Sequence, residues 1–183
     1  MSEELLVTHC APTLAGMKTG SLFNCKCESL CCIKAAIKEW NSILNCKGVY
    51  MSLLTVMKDR ALIYVFRPEK LAKDIGVEEV QSFLKEQGYR NCYPDACIKR
   101  LSERLRRYET FPHEIGIFLG YPIEDVKGFI ENKGQNCKCI GYWKVYNNEK
   151  EAEKTFQKYK KCTTIYRKKL KEGRSIEKLV VQL

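Results

Sequence analysis

Two apolar runs rich in β-branched and aromatic residues, Val49 to Met57 and Ala61 to Phe66, flank the polar triplet Lys58-Asp59-Arg60 and stop at Pro68. That pattern commits the chain to a β-hairpin buried on at least one face, with the triplet as its turn. A lone hairpin is marginal in water, so its neighbours must cover it. Just before it, Leu30, Ile33, Ile37, Trp40 and Leu44 recur at spacings of three and four. This stripe predicts an amphipathic helix from about Glu28 to Asn45, ended near Gly48, with its apolar face laid on the hairpin.

A third strand is expected from Cys139 to Tyr146, where Tyr142, Trp143, Val145 and Tyr146 favour extended backbone between Gly134 and Asn147-Asn148. It would close a small antiparallel sheet with the hairpin. Short helices should fill the interval, three of them opening near a proline: Pro94, Pro112 and Pro122. Glu78-Glu79-Val80-x-x-Phe83-Leu84 before Gly88 is echoed by Glu124-Asp125-Val126-x-x-Phe129-Ile130 before Gly134. Each reads as the second half of a helix-turn-helix hairpin whose first helix ends at Gly76 or Gly120. The echo covers too few positions to mark a duplicated domain, because acidic first turns recur in unrelated helices.

Further on, Ala152, Phe156, Tyr159, Thr163, Tyr166 and Leu170 form another helical stripe, with Asn148 as N-cap and Glu151 three residues later. A short helix should follow Gly173 and Ser175. The expected fold class is α+β, a small antiparallel sheet (hairpin 49–66 plus strand 139–146) packed with several helices. At 183 residues and 45% hydrophobic, the chain can bury one core as a single domain over residues 1–183.

No apolar run approaches about 18 residues, and Glu3 and Glu4 stand where a secretory signal carries lysines, so a cytoplasmic protein outside the membrane is expected. Eleven cysteines in a short secreted chain would suggest disulfides. The number is odd, however, and Cys31-Cys32, Cys25/Cys27 and Cys137/Cys139 are too close for ordinary bridging, so reduced thiols packed as small hydrophobes are expected.

Thirty-two Lys and Arg against 22 Asp and Glu give a net charge of +10 and a preference for anionic partners. The excess gathers in Lys99, Arg100, Arg104, Arg106 and Arg107, then in Lys154, Lys158, Lys160, Lys161, Arg167, Lys168, Lys169 and Lys171. Both stretches look helical, and a solvated outer face is the plain reading. Ile115 to Val126 has the outline of a DNA-binding helix-turn-helix, but its second helix opens with Glu124 and Asp125, carboxylates where phosphates and base edges must be met. Nucleic-acid binding is disfavoured there and would fall to the basic helices around Arg104 and Lys161.

The only two histidines, His9 and His113, each lie beside a proline, in His9-Cys10-Ala11-Pro12 and Phe111-Pro112-His113-Glu114. Imidazoles from distant segments can together hold a metal or a haem iron, with Glu114 orienting one ring through its second nitrogen. The alternative is two locally bonded histidines, as no His-x3-His spacing is present. Cys25-x-Cys27-x3-Cys31-Cys32 with Cys137-x-Cys139 supplies six thiols, but the spacing matches no familiar zinc or iron-sulfur pattern. Ala11 to Gly20 surrounds Lys18 with small residues, either as a structural turn or as a loop that lets a carboxylate or phosphate approach the lysine. A Cys10-His113 dyad can be drawn, yet no nucleophile motif accompanies it. No catalytic residue is assigned, and whether the protein is an enzyme stays open.

The chain resembles a bacterial family of unknown function found mainly in anaerobic Firmicutes and their relatives. The resemblance rests on His9-Cys10-Ala11-Pro12 through Lys18, on Tyr64-Val65-Phe66-Arg67-Pro68, on Phe111 to Ile130 and on Gly141-Tyr142-Trp143-Lys144-Val145-Tyr146. It implies a redox or tetrapyrrole-handling context, because some similar proteins accompany flavodoxin-like electron carriers.

The leading expectation is a cofactor- or ligand-binding protein, with haem, another tetrapyrrole or a redox metal as the ligand. Its site would comprise His9, Lys18, Arg67, His113, Glu114, Tyr121, Trp143, Lys144 and Tyr146. His9 and His113 would ligate the metal, the aromatic residues would wall the ligand, and Lys18, Arg67 and Lys144 would meet propionates. The alternatives are a nucleic-acid-binding module and an interaction domain for an acidic redox partner such as a flavodoxin-like protein.

Overall fold

The computed structural model describes residues 1–107 and 111–183. In chain order its elements are α1 (Glu3–Leu14), β1 (Gly20–Lys26), α2 (Leu30–Leu44), β2 (Tyr50–Met57), β3 (Arg60–Phe66), α3 (Pro68–Ile75), α4 (Glu78–Glu86) and α5 (Pro94–Arg107). There follow α6 (Ile115–Phe118), α7 (Ile123–Glu131), β4 (Cys139–Ile140), β5 (Lys144–Val145), α8 (Glu149–Lys171) and α9 (Ile176–Leu179). The class is α+β.

The hairpin forms as its pattern dictates. Met57 pairs with Arg60 across Lys58-Asp59, and Lys58 adopts a left-handed φ of 53° to make the turn. β3 is the central strand of an antiparallel sheet in the order β1-β3-β2. Its side chains alternate between two cores. Ala61, Ile63 and Val65 join Phe23 and Met51 on one face, beneath α1, α2, α8 and α9. Leu62, Tyr64 and Phe66 join Leu22 and Leu54 on the other, beneath α3 to α7. Burial on both faces explains why β3 reads as an unbroken apolar run.

The expected third strand needs correction. Strand 139–146 does not join the hairpin; it folds back on itself at Gly141-Tyr142-Trp143 as the separate two-stranded ribbon β4–β5. Two contacts hold it away from the sheet. A Cβ at Gly141 would lie 2.2 Å from the Phe156 ring, so glycine alone lets the ribbon tip close on α8. Asp125 of α7 binds the ribbon's outgoing backbone amides, at Tyr146 and Asn147. The third place in the sheet goes to β1, which starts at Gly20, the last residue of the segment read as a turn or ligand loop.

Pro12 sits in the last turn of α1, whose N-terminus is capped by Ser2. Its missing N–H costs the helix one internal bond, and α1 ends two residues later. Both helix hairpins of the internal echo form and share one core, and Lys127 of α7 bridges to Glu79 of α4 at 2.6 Å. Among the described residues no helix is long and apolar enough to cross a membrane.

Candidate functional site

A pocket of about 360 Å³ opens between α6, α7 and the β4–β5 ribbon. Buried Ile115 and Val126 belong to its floor, and Tyr121, Phe129 and Trp143 supply its aromatic wall. Phe111, His113 and Ile140 stand exposed around the mouth. The floor depends on Gly116, because a Cβ there would lie 2.7 Å from Val126 and 3.2 Å from Tyr121. Without it α6 could not sit so close to α7.

Each wall residue is held from behind. Trp143 stacks on Tyr121, ring centroids 4.9 Å apart, and meets Phe156 of α8 edge-on at 4.6 Å. The indole N–H donates to Asp125 Oδ2 at 2.7 Å, and the Tyr121 hydroxyl donates to the Tyr142 carbonyl at 3.0 Å. Asp125 Oδ1 accepts the Tyr146 and Asn147 amides at 2.7 and 2.9 Å, so this carboxylate, 3% exposed, is fully occupied as a clamp. Burial pushes the Tyr121 phenol up to about 12, and it stays neutral at physiological pH.

The pocket brings together His113, Tyr121, Trp143 and Lys144 from the expected site. The His113 ring leans on Phe129 at 4.9 Å, and its nitrogens make no hydrogen bond among the described residues. Lys144 donates to the Gly134 carbonyl at 2.7 Å and lies 5.7 Å from the centre of the Phe129 ring. Tyr146 stands behind the pocket, its β-carbon against Gly128, where a Cβ would approach within 2.6 Å.

The other expected site residues lie elsewhere. His9 is exposed on α1 and stacks on Phe23 at 5.6 Å, on the opposite face of the sheet from His113. Burial and the nearby Arg167 lower its pKa. Arg67 is wholly buried and donates to the carbonyls of Thr13, Leu14, Lys47 and Val181 at 2.6–3.1 Å, which ties the end of α1 to the C-terminal segment. Glu114 turns inward, away from the His113 ring, to accept the Tyr89 hydroxyl at 2.9 Å and pair with Arg104 at 2.6 Å.

Lys18 stands behind the aromatic wall, its ammonium 5.2 Å from the centre of the Tyr121 ring. It is brought there by the close approach of Thr19 to Gly120, where a Cβ would fall 2.8 Å from Thr19 Oγ1. Burial lowers its pKa to about 8. Among the described residues no group of three His, Cys, Asp or Glu side chains converges as a metal site.

Residues 6–180 match the family model described as a protein of unknown function, DUF3793. The chain belongs to the DUF3793 family. No curated protein and no solved structure matches it. The pocket lies entirely within the segment matched to DUF3793.

Asp125, Gly116, Phe129 and Gly141 were not anticipated as parts of the site. Asp125 had a signal in the sequence, a carboxylate on an otherwise apolar helix face one residue before Val126. It counted against DNA binding, whereas in the fold its partners are the Trp143 indole and the backbone amides of Tyr146 and Asn147.

Proposed function

We propose that this DUF3793 chain is a ligand-binding protein whose pocket takes a flat, conjugated ligand bearing an anionic or metal-coordinating group. One observation carries the reading: three aromatic rings enclose the pocket together with a lysine and an imidazole that has no hydrogen bond among the described residues, while Asp125 in its lining is already satisfied. Aromatic walls favour planar partners, and His113 and Lys144 supply the polar group such a site needs for orientation. A volume of about 360 Å³ lies near the lower end of small-molecule pockets, which run from about 300 to 1,000 Å³.

A tetrapyrrole is the member of this ligand class that would use His113 as an axial nitrogen. With His9 on the far face of the sheet, this chain would offer such a ligand one imidazole, and part of a tetrapyrrole's rim would remain outside the pocket. Titration with haemin should shift its Soret band, and His113→Ala but not His9→Ala should abolish the shift. Anilinonaphthalene sulfonate, flat and anionic but metal-free, should brighten on binding and be displaced by haemin. No saturable signal from either probe, or unchanged binding in both His113→Ala and Phe129→Ala, would remove the reading.

A second reading is supported by α8, where Lys150, Lys154, Lys161 and Lys168 fall on one outer face and are all exposed. It is docking of an acidic redox partner such as a flavodoxin-like carrier, with charge setting the association rate. Lys154→Glu with Lys161→Glu should slow association with such a carrier at low salt; an unchanged rate counts against it.

A further inference from the structure

A second cleft, of about 440 Å³, lies on the far side of α5, walled by the α4–α5 linker. Arg90, Lys99 and Arg100 line it against a single carboxylate, Glu103. Lys99, Arg100 and Glu103 descend one side of α5 from Ala96 in its first turn, where the helix dipole adds to the positive potential. Asp95, the acidic residue of that turn, lines a neighbouring cleft beside Tyr50 and Met51, which Lys99 and Glu103 also border.

The basic side chains nearby divide into committed and uncommitted ones. Arg104 is held by Glu114 and the Gln87 carbonyl, and Arg106 donates to Ser102. Arg100 has only a long 3.5 Å contact with Glu103, and its Nε is buried with no hydrogen-bond partner among the described residues. Its guanidinium packs beside Gly88 of the linker, with Nη2 3.4 Å from where a Cβ there would stand. A buried N–H without an acceptor is a penalty the resting state carries. Turning the guanidinium onto an oxyanion would relieve it and form the two-pronged pair for which arginine is suited.

We propose that this cleft binds a small phosphate-bearing molecule, with Arg100 as the two-pronged ligand and Arg90 and Lys99 as flanking charges. The site is separate from the aromatic pocket and independent of the function assigned to it. Sodium pyrophosphate is the probe, titrated calorimetrically at constant ionic strength. The parent chain should bind one equivalent, and Arg100→Gln should weaken binding by about tenfold or more, the scale of one charge-assisted pair. Arg90→Gln, at an exposed position, should weaken it in the same direction and carries the test if the first variant does not fold. Lys34→Gln, at an exposed position on α2 across the sheet, removes the same charge far from the cleft and should change affinity less than about twofold. No saturable binding of pyrophosphate up to about 10 mM overturns the proposal. Equal losses from Lys34→Gln and the cleft variants overturn it too, as does binding of single-stranded RNA with no binding of pyrophosphate, which would mark a surface for extended backbones.

Discussion

Arg67 donates through Nη2 to the carbonyl oxygen of Val181 at 2.6 Å, joining the residue just after β3 to one 114 positions later. The same nitrogen reaches the Leu14 carbonyl, and the Val181 amide donates to that carbonyl in turn, at 3.1 Å. Sequence reading offered this arginine to a ligand; the fold uses it as a buried rivet for α1, β3 and the C-terminal segment.

Arg67→Met should therefore cost several kcal/mol, about 3–5, because it strands buried carbonyls that had charged donors. Urea unfolding measures the loss. Arg67→Lys should recover only part of it, since one ammonium cannot span four acceptors on three segments. A methionine variant as stable as the parent would show that these bonds contribute nothing net.

Asp125→Asn tests the clamp on the ribbon. Whichever way the amide turns, its NH2 faces a donor, either the Trp143 indole or the two amides of Tyr146 and Asn147. A loss of about 2–3 kcal/mol is expected, along with a red shift of Trp143 fluorescence as the indole leaves its place. Trp40 lies in the other core and serves as the internal reference, best isolated with a Trp40→Phe background.

Lys18 gives a pH signature. Its pKa is about 8 in the folded protein, against an ordinary 10.5 in the unfolded chain. Below pH 8 both states hold the proton, and the folded one bears the full cost of a buried ammonium, roughly 3 kcal/mol. Between 8 and 10.5 the folded amine is neutral while the unfolded one is not, so this contribution to stability rises with pH. Buried Cys10, raised from 9 to about 12, acts in the opposite sense above pH 9. Lys18→Met should thus exceed the parent in stability at pH 7, with the margin shrinking by pH 10. Paired urea curves at the two pH values decide it; a margin that does not move would refute the assignment.

The thiols should fall into reactivity classes. Cys31, Cys32 and Cys46 are exposed, whereas Cys10, Cys97 and Cys162 are buried, and burial raises these last three to about 12, 12 and 11. Iodoacetamide at pH 8 should label the exposed three first and spare the buried three until urea is added, read by peptide mass mapping. Early labelling of Cys10 would contradict the packing of α1 on the sheet.

These outcomes bear on how far the sequence could be read. The hairpin, α2 and α8 were legible because each repeats a single period over many residues and meets one large apolar surface. β1 was not: Gly20, Ser21 and Asn24 dilute its pattern, and Ser21 is buried because its hydroxyl bonds Thr13. The ribbon was misread for the opposite reason. Tyr142 and Trp143 favour strand, but their rings find better partners in Tyr121, Phe156 and Tyr159, and this packing overrides propensity. Within the site, the wall residues Tyr121 and Trp143 could be picked out by type. The separation of the two histidines could not, because it follows from which face of the sheet α1 and the α6–α7 hairpin each cover.

The rivet at Arg67 also bears on synthesis. α1 is synthesised before both partners of its last carbonyls, Arg67 just after β3 and Val181 beyond α8. Until Val181 emerges, the nascent helix carries an unfinished end whose carbonyls must find water or another donor.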